Sequence, residues 1–222
     1  MARINEVSLI GTVVNTELDP KTVSPEKTDG QNNMEVLNFL VRCYNEYTGR
    51  VDTLPVAVWG ENLVRECLMF MKKDDLVYIN GELRYKTIWN HELKRPERIY
   101  TTVKASTVEF LSKKLKDQKL YDDKFGVNDV KLAGNLVEDP RWDGEGFILA
   151  VDRLHPSKDL KVPNHKLTDY VTIVVKDESC IRGPLKKGSV AIVEGSLMSR
   201  KRDDERIGFP RIVVDAKKIV GR

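Results

Sequence analysis

Apolar and polar residues alternate through Val7-Ser-Leu9, and Gly11-Thr-Val13-Val14 continues the run with a glycine where a strand needs a bulge or a close neighbour. Residues 16–33 hold Asp, Pro, Gly and Asn and read as a loop. Residues 36–44 are β-branched and aromatic, a second strand; 45–49 carry a turn signal; 53–59 are a third strand. Residues 62–72 place Leu63, Cys67, Met69 and Phe70 near helical spacing, so one short helix follows. Lys72-Lys-Asp-Asp75 closes it. Residues 76–86 form a fourth strand with Gly81 inside, and a hairpin tip rich in Lys, Arg and Pro leads to a fifth strand at 100–110.

The pattern then returns. Asn5-Glu-Val-Ser-Leu-Ile-Gly11 recurs as Asn128-Asp-Val-Lys-Leu-Ala-Gly134, an offset of 123. Lys72-Lys-Asp-Asp-Leu-Val-Tyr-Ile-Asn-Gly-Glu-Leu83 recurs as Lys186-Lys-Gly-Ser-Val-Ala-Ile-Val-Glu-Gly-Ser-Leu197, an offset of 114. Val103-Lys-Ala-Ser-Thr-Val108 recurs as Val214-Asp-Ala-Lys-Lys-Ile219, an offset of 111. Three blocks in one order, with a shrinking offset, mean two copies of one fold, the second with shorter loops. The expected domains are 1–112 and 127–222, joined by a Lys- and Asp-rich linker at 113–126. Three strands, a helix and two strands match an OB-fold, a five-stranded Greek-key barrel. The fold class is therefore all-β with a short helix per domain, in two tandem OB-folds.

Composition narrows the function. With 41% hydrophobic and 32% charged residues, the 222-residue chain can bury two cores. No run approaches the roughly 18–20 apolar residues of a membrane span. The net charge of +3 is too small to name a partner, and all of that excess falls in residues 127–222. Cys43, Cys67 and Cys180 form no close pair, and His91, His155 and His165 have no zinc-ligand spacing. A reduced, cytoplasmic protein without metal or cofactor is expected. No GxxxxGK[ST] loop, Gly-x-Ser-x-Gly elbow or His-Glu-x-x-His helix is present. The acidic pairs Asp74-Asp75, Asp122-Asp123 and Asp203-Asp204 read as charged turns, so no enzyme is expected.

The order of motifs resembles the bacterial single-stranded DNA-binding protein (SSB) family. The resemblance rests on Asn5-x-Val-x-Leu-Ile-Gly11, Leu37-Asn-Phe-Leu-Val41, Pro55-Val-Ala-Val-Trp-Gly60, Lys72-Lys-Asp-Asp-x-Val-Tyr-Ile-Asn-Gly-Glu-Leu-Arg84 and Val103-Lys-Ala-x-x-Val-Glu-Phe-Leu111. No single element is specific; five in register are. The second copy keeps the first, fourth and last. The resemblance implies single-stranded DNA as partner, and a homodimer in which two tandem chains supply four OB domains. The sequence ends on Asp215-Ala-Lys-Lys-Ile-Val-Gly-Arg222 without the family's acidic tail, so tail-mediated recruitment of other proteins is not expected.

Sequence-independent binding needs exposed aromatic faces and a cationic track. The resemblance puts Trp59 at a family stacking position, aligns Tyr47 with another, and sets Tyr85 and Trp89 on either side of a third. A further family stacking position, near Thr53, has lost its ring. Packing inside the barrel is the alternative for Trp59 and Tyr85, and an ordinary surface ring for Tyr47 and Trp89. Tyr78 reads as core. Arg42, Arg50, Arg84 and Lys86 are the phosphate candidates of the first copy, with Arg84 and Lys86 alternating on one strand face. Lys94, Arg95 and Arg98 read as solvated surface. In the second copy Arg200-Lys201-Arg202 occupies the equivalent hairpin, partly cancelled by Asp203-Asp-Glu205. Val175 falls opposite Trp59 in the repeat; Trp142 remains a candidate, while Phe147 and Tyr170 fit core strands.

The function expected is sequence-independent binding and protection of single-stranded DNA in replication, recombination or repair. A non-catalytic tandem-OB adaptor in a replication, phage or conjugation complex is the alternative, and an RNA binder a third. Relative affinity for single-stranded DNA, RNA and duplex separates them.

Overall fold

A computed structural model describes residues 4–14, 21–23, 34–45, 48–90, 95–111, 126–141, 146–153, 168–200 and 211–222. The first copy runs β1 (Ile4–Val13), β2 (Lys21–Val23), β3 (Met34–Asn45), β4 (Arg50–Trp59), α1 (Glu61–Phe70), β5 (Leu76–Asn90) and β6 (Arg95–Phe110). The second runs β7 (Val127–Leu136), β8 (Phe147–Asp152), β9 (Thr168–Val174), β10 (Ile181–Arg182), β11 (Val190–Arg200) and β12 (Arg211–Gly221).

Pairing closes the first copy into a ring. β1 lies antiparallel to β5 (Leu9 opposite Ile79) and to β3 (Thr12 opposite Arg42). β3 pairs antiparallel with β4, β4 parallel with β6 (Val56 opposite Val103), and β6 returns to β5. The second copy repeats every step. β7 pairs with β11 and β8, β8 with β9, β9 runs parallel to β12 (Ile173 opposite Val214), and β12 pairs with β11. Each copy is a five-stranded barrel of OB topology, as the block order predicts.

The repeated glycines sit where strands cross most closely. A Cβ on Gly11 would lie 2.5 Å from the Arg42 carbonyl oxygen, and one on Gly134 2.2 Å from that of Ala150. Likewise Gly81 faces the Lys104 oxygen at 2.2 Å and Gly195 that of Asp215 at 2.3 Å. Any side chain there would push apart the strands that close the barrel. Register and glycines together equate Arg42 with Ala150, Thr53 with Tyr170, and Lys104 with Asp215.

Two-residue alternation fills each core. Val7, Leu9, Val13, Leu37, Phe39, Val41, Leu54, Val56, Val58, Val77 and Ile79 are buried in the first barrel, with Val64 and Cys67 of α1. Leu132, Phe147, Leu149, Val171, Ile173, Val193, Leu197 and Val214 are their counterparts in the second. Each large apolar side chain so buried contributes roughly 1.5–3 kcal/mol before the entropy cost of ordering it. Tyr78, expected in the core, is half-buried on the outer face, because its neighbours Val77 and Ile79 both point inward.

Three other local readings change. The loop at 16–33 contains the short strand β2, whose Lys21 pairs with Val36. The fourth and fifth strands run further into the hairpin than expected, to Asn90 and from Arg95, so Trp89 is a strand residue. The second copy also departs from one helix per domain. Among its described residues the place of α1 is taken by a 3-10 turn, Glu178–Cys180, whose Asp177 caps the Ser179 amide at 2.8 Å. Gly183, at φ 86°, and Pro184 follow too soon for helical turns to accumulate.

The chain packs as two compact units. One comprises Val7–Glu82 and Thr102–Asn128; the other comprises Met1–Glu6, Leu83–Thr101 and Asp129–Arg222. The outer part of the β5–β6 hairpin thus packs in the same unit as the second barrel, although the repeat boundary assigns it to the first copy.

Candidate nucleic-acid interface

On the outer face of the first barrel, β3 and β4 lie side by side with Arg42 opposite Thr53, Leu40 opposite Pro55 and Asn38 opposite Ala57. Arg42 and Arg50 are exposed, and Tyr44 is half-buried across from exposed Val51. Trp59 ends β4 with 38% of its surface open to solvent, on the same face as Thr53. At about 3.3 Å per residue, the two positions are roughly 20 Å apart along the strand.

Lys104, on the neighbouring β6, sets its Nζ over the Trp59 ring, 5.8 Å from the centroid. The ring's negative face attracts the ammonium, which fixes the indole's orientation while keeping a positive charge beside it. An exposed ring with a cation at its side is what a base and its phosphate together require. Lys104 is not among the residues singled out from the sequence, since it sits inside a block that reads as structural. Its outward parity between buried Val103 and Ala105 is the signal that finds it.

The remaining candidates divide. Tyr85 is half-buried, and its amide donates to Asp169 Oδ1 at 2.8 Å. Arg84 donates from its guanidinium to Asp169 Oδ2 at 3.3 Å, with 19% of the side chain exposed. Arg200 ends β11 and is exposed. Lys86 and Trp89 have backbones on β5, but their side chains lie outside the described residues. Tyr47, Trp142, Lys201 and Arg202 lie outside them altogether, as do Lys94 and Phe209.

The second barrel presents a different face at the same register. The parallel pairing of Ile173 with Val214 places Lys176, not Val175, at the position of Trp59. Lys176 Nζ lies 2.5 Å from Asp215 Oδ2, so an ion pair replaces the tryptophan and its lysine. Met198, the counterpart of Arg84, is buried with Val174 and Val213 in a small apolar cluster. Tyr170, expected in the core, is 40% exposed, because Val171 and Ile173 take the inward positions of β9. It stands opposite Ala150 at the register of Thr53, where the first barrel has no ring. Phe147 is buried as expected.

Burial pushes the Cys67 thiol up to about 12, burial and then Asp52 push Cys43 higher still, and Cys180 is also raised, chiefly by burial. All three cysteines are free thiols. Among the described residues no group of three His, Cys, Asp or Glu could hold a metal, and no helix is long and apolar enough to cross a membrane.

Residues 4–111, the stretch that builds the first barrel, match the Single-strand binding protein family. Among curated proteins none matches the chain. Among solved structures, the wild-type single-stranded DNA binding protein from Thermus aquaticus is similar, with TM-score 0.65 and 19% identity. That match covers 100% of this chain and 94% of the other. A deletion mutant of the Thermus aquaticus protein gives TM-score 0.64 and 20% identity, over 100% of this chain and 96% of the other. At such identity the likeness is one of fold, and it extends through both barrels.

Proposed function

We propose that this chain, whose residues 4–111 carry the Single-strand binding protein family domain, binds single-stranded DNA without reading its sequence. The observation that carries the reading is Trp59, exposed on the β3–β4 face with Lys104 against its ring and Arg42 and Arg50 on the same two strands. Bases stack on the indole, and the cations replace counterions along the phosphates. The similarity to the single-stranded DNA binding protein from Thermus aquaticus points the same way. The second barrel supports the strand less evenly, through Tyr170 and the Arg200 end of β11. Its Lys176–Asp215 pair and apolar cluster give no stacking surface at the Trp59 position. Two chains associate to present four barrels, and the protein serves replication, recombination or repair in a reducing cytoplasm without catalysis.

The test is tryptophan fluorescence titrated with poly(dT), poly(U) and duplex DNA at low and high salt. Stoichiometric quenching by poly(dT), weaker with poly(U) and duplex and weakened by salt, is the expected result. Absence of quenching and of any mobility shift moves the assignment to a protein-binding adaptor, the reading that the second barrel's altered face favours. Preference for poly(U) makes the partner RNA.

A further inference from the structure

Tyr44, near the end of β3, stands between buried Cys43 and Asn45, so a period of two turns its ring to the outer face that carries Arg42. Opposite it on β4 is Val51, 44% exposed. Side chains directly paired across antiparallel strands lie about 4.5–5.5 Å apart at Cβ, so the ring and the aliphatic group form one apolar patch. The next pair on the face is Arg42 with Thr53, and Arg42 is exposed. Trp59, paired with Val36, closes the same face at its other end, roughly 26 Å from Tyr44 at about 3.3 Å per residue.

The root of the Tyr44 side chain is seated. A Cβ on Gly126 would lie 3.0 Å from the Tyr44 nitrogen and 3.3 Å from its Cβ, so the glycine backbone packs against it. The residue is half-buried, held at its root with part of its surface left to solvent. A ring ordered in this way loses little freedom when a base lands on it. Tyr78, also half-buried on the outside of the first barrel, is set differently. Its hydroxyl accepts from Asn80 Nδ2 at 3.4 Å, and its partner across the strands is Ile10, with no arginine in the flanking pairs.

The second barrel answers Tyr44 and Val51 with Asp152 and Thr168, and the threonine hydroxyl donates to the Asp152 carboxylate at 3.1 Å. A carboxylate there repels phosphate, and the ring of that face, Tyr170, stands one pair along. Each barrel thus presents a tyrosine on this face, at neighbouring pairs and on opposite strands.

We infer that Tyr44, with Val51 beside it and Arg42 on the next pair, is a second stacking residue for single-stranded DNA, taking a base at the end of the β3–β4 face remote from Trp59. This deepens the proposed function and rests on it. The ring face takes any base, the valine shields one side of the stack from water, and the arginine meets the adjoining phosphate. A tyrosine serving only the sheet would contribute through its pair with Val51 and leave binding untouched.

The experiment titrates a fluorescein-labelled dT oligonucleotide with the full chain as wild type, Tyr44→Leu, Tyr44→Phe, Trp59→Ala and Tyr78→Leu, with urea unfolding to check each fold. Tyr44→Leu, which keeps apolar bulk but removes the ring, is expected to weaken binding about 5- to 150-fold. Tyr44→Phe, which keeps the face, should change it by less than about twofold. Tyr78→Leu should bind as wild type does. Tyr44→Leu binding like wild type while Trp59→Ala binds weakly overturns the inference and leaves the proposed function standing. Equal losses in Tyr44→Phe and Tyr44→Leu overturn it too, since the hydroxyl and not the ring face would then be in use. Wild type failing to bind the oligonucleotide overturns the proposed function itself, before any variant is compared. If Tyr44→Leu does not fold, photo-crosslinking of wild type to a 5-bromodeoxyuridine oligonucleotide decides the matter. An adduct mapped to Tyr44 supports the inference, and adducts formed only elsewhere overturn it.

Discussion

Lys176 Nζ and Asp215 Oδ2 form a 2.5 Å ion pair at the two positions where the first barrel sets Trp59 under Lys104. One backbone register thus carries a cation–π pair in one copy and a salt bridge in the other. The difference sorts the barrels by what they can hold. An indole offers a π-face to any base, whereas a lysine neutralised by a carboxylate offers neither a stacking surface nor a spare charge. With Lys176 half-exposed, the pair is worth at most about 1 kcal/mol to folding.

Trp59→Ala is therefore expected to weaken poly(dT) binding by roughly 1–3 kcal/mol, about 5- to 150-fold. Lys176→Ala should change affinity less than twofold. Anisotropy titration of the two variants side by side checks this, and equal losses would remove the asymmetry between the barrels.

Tyr170 and Thr53 exchange roles at a second register position, and the exchange can be reversed. Tyr170→Ala should cost up to about 1–3 kcal/mol of binding, and Thr53→Tyr should strengthen it, since the outer face at Thr53 is half-open beside exposed Arg42. Both are surface changes on strands that favour aromatics, so the melting temperature should move little. Loss of affinity in Thr53→Tyr with the fold intact would remove the β3–β4 face as the path of the strand.

How far these positions were legible follows from the distance over which each is decided. The strands, the barrel order and the crossing glycines Gly11, Gly81, Gly134 and Gly195 show in the sequence because alternation and close approach are local demands. Tyr170 and Tyr78 read as core by content, yet parity turns both outward: each sits between two inward residues, Asp169 and Val171 in one case, Val77 and Ile79 in the other. In a strand the period of two outweighs aromatic content. Counting along the repeat sets Val175 against Trp59, one residue from its true equivalent Lys176, because the shortened loops of the second copy shift the count and the parallel pairing of β9 with β12 restores it. Nothing local announces that Arg84 answers to Asp169. That contact is a product of the fold, and it gives a phosphate candidate a carboxylate partner within the chain.

Gly81→Ala is expected to destabilise the first barrel by about 2–4 kcal/mol, because its Cβ would meet the Lys104 carbonyl oxygen, which cannot move without opening the β5–β6 pairing. Gly49→Ala, at φ 63° in the β3–β4 turn with open space around it, should cost only about 1 kcal/mol. Urea unfolding of both variants separates steric from conformational demand, and similar losses would argue that the strand crossing at Gly81 is looser than the backbone geometry makes it.

Asp74 is the one non-glycine residue with positive φ among those described, at 65°, in the turn that follows α1. Its counterpart in the repeat is Gly188, at φ 83°. Both turns are held the same way: Asp74 donates its amide to the Val13 carbonyl at 2.8 Å, and Gly188 donates to Leu136 at 2.8 Å. The second copy therefore shows that the turn works without a side chain. Aspartate tolerates the left-handed region better than most residues, so the strain to be relieved is modest. Asp74→Gly should stabilise the protein by about 0.5–1 kcal/mol, less the small entropy that glycine adds to the unfolded chain. Gly188→Asp should lose a similar amount. Paired urea midpoints at constant m-value read both directions at once. A destabilised Asp74→Gly would mean that the Asp74 carboxylate holds the turn, a role the exposed side chain gives no sign of in the structure.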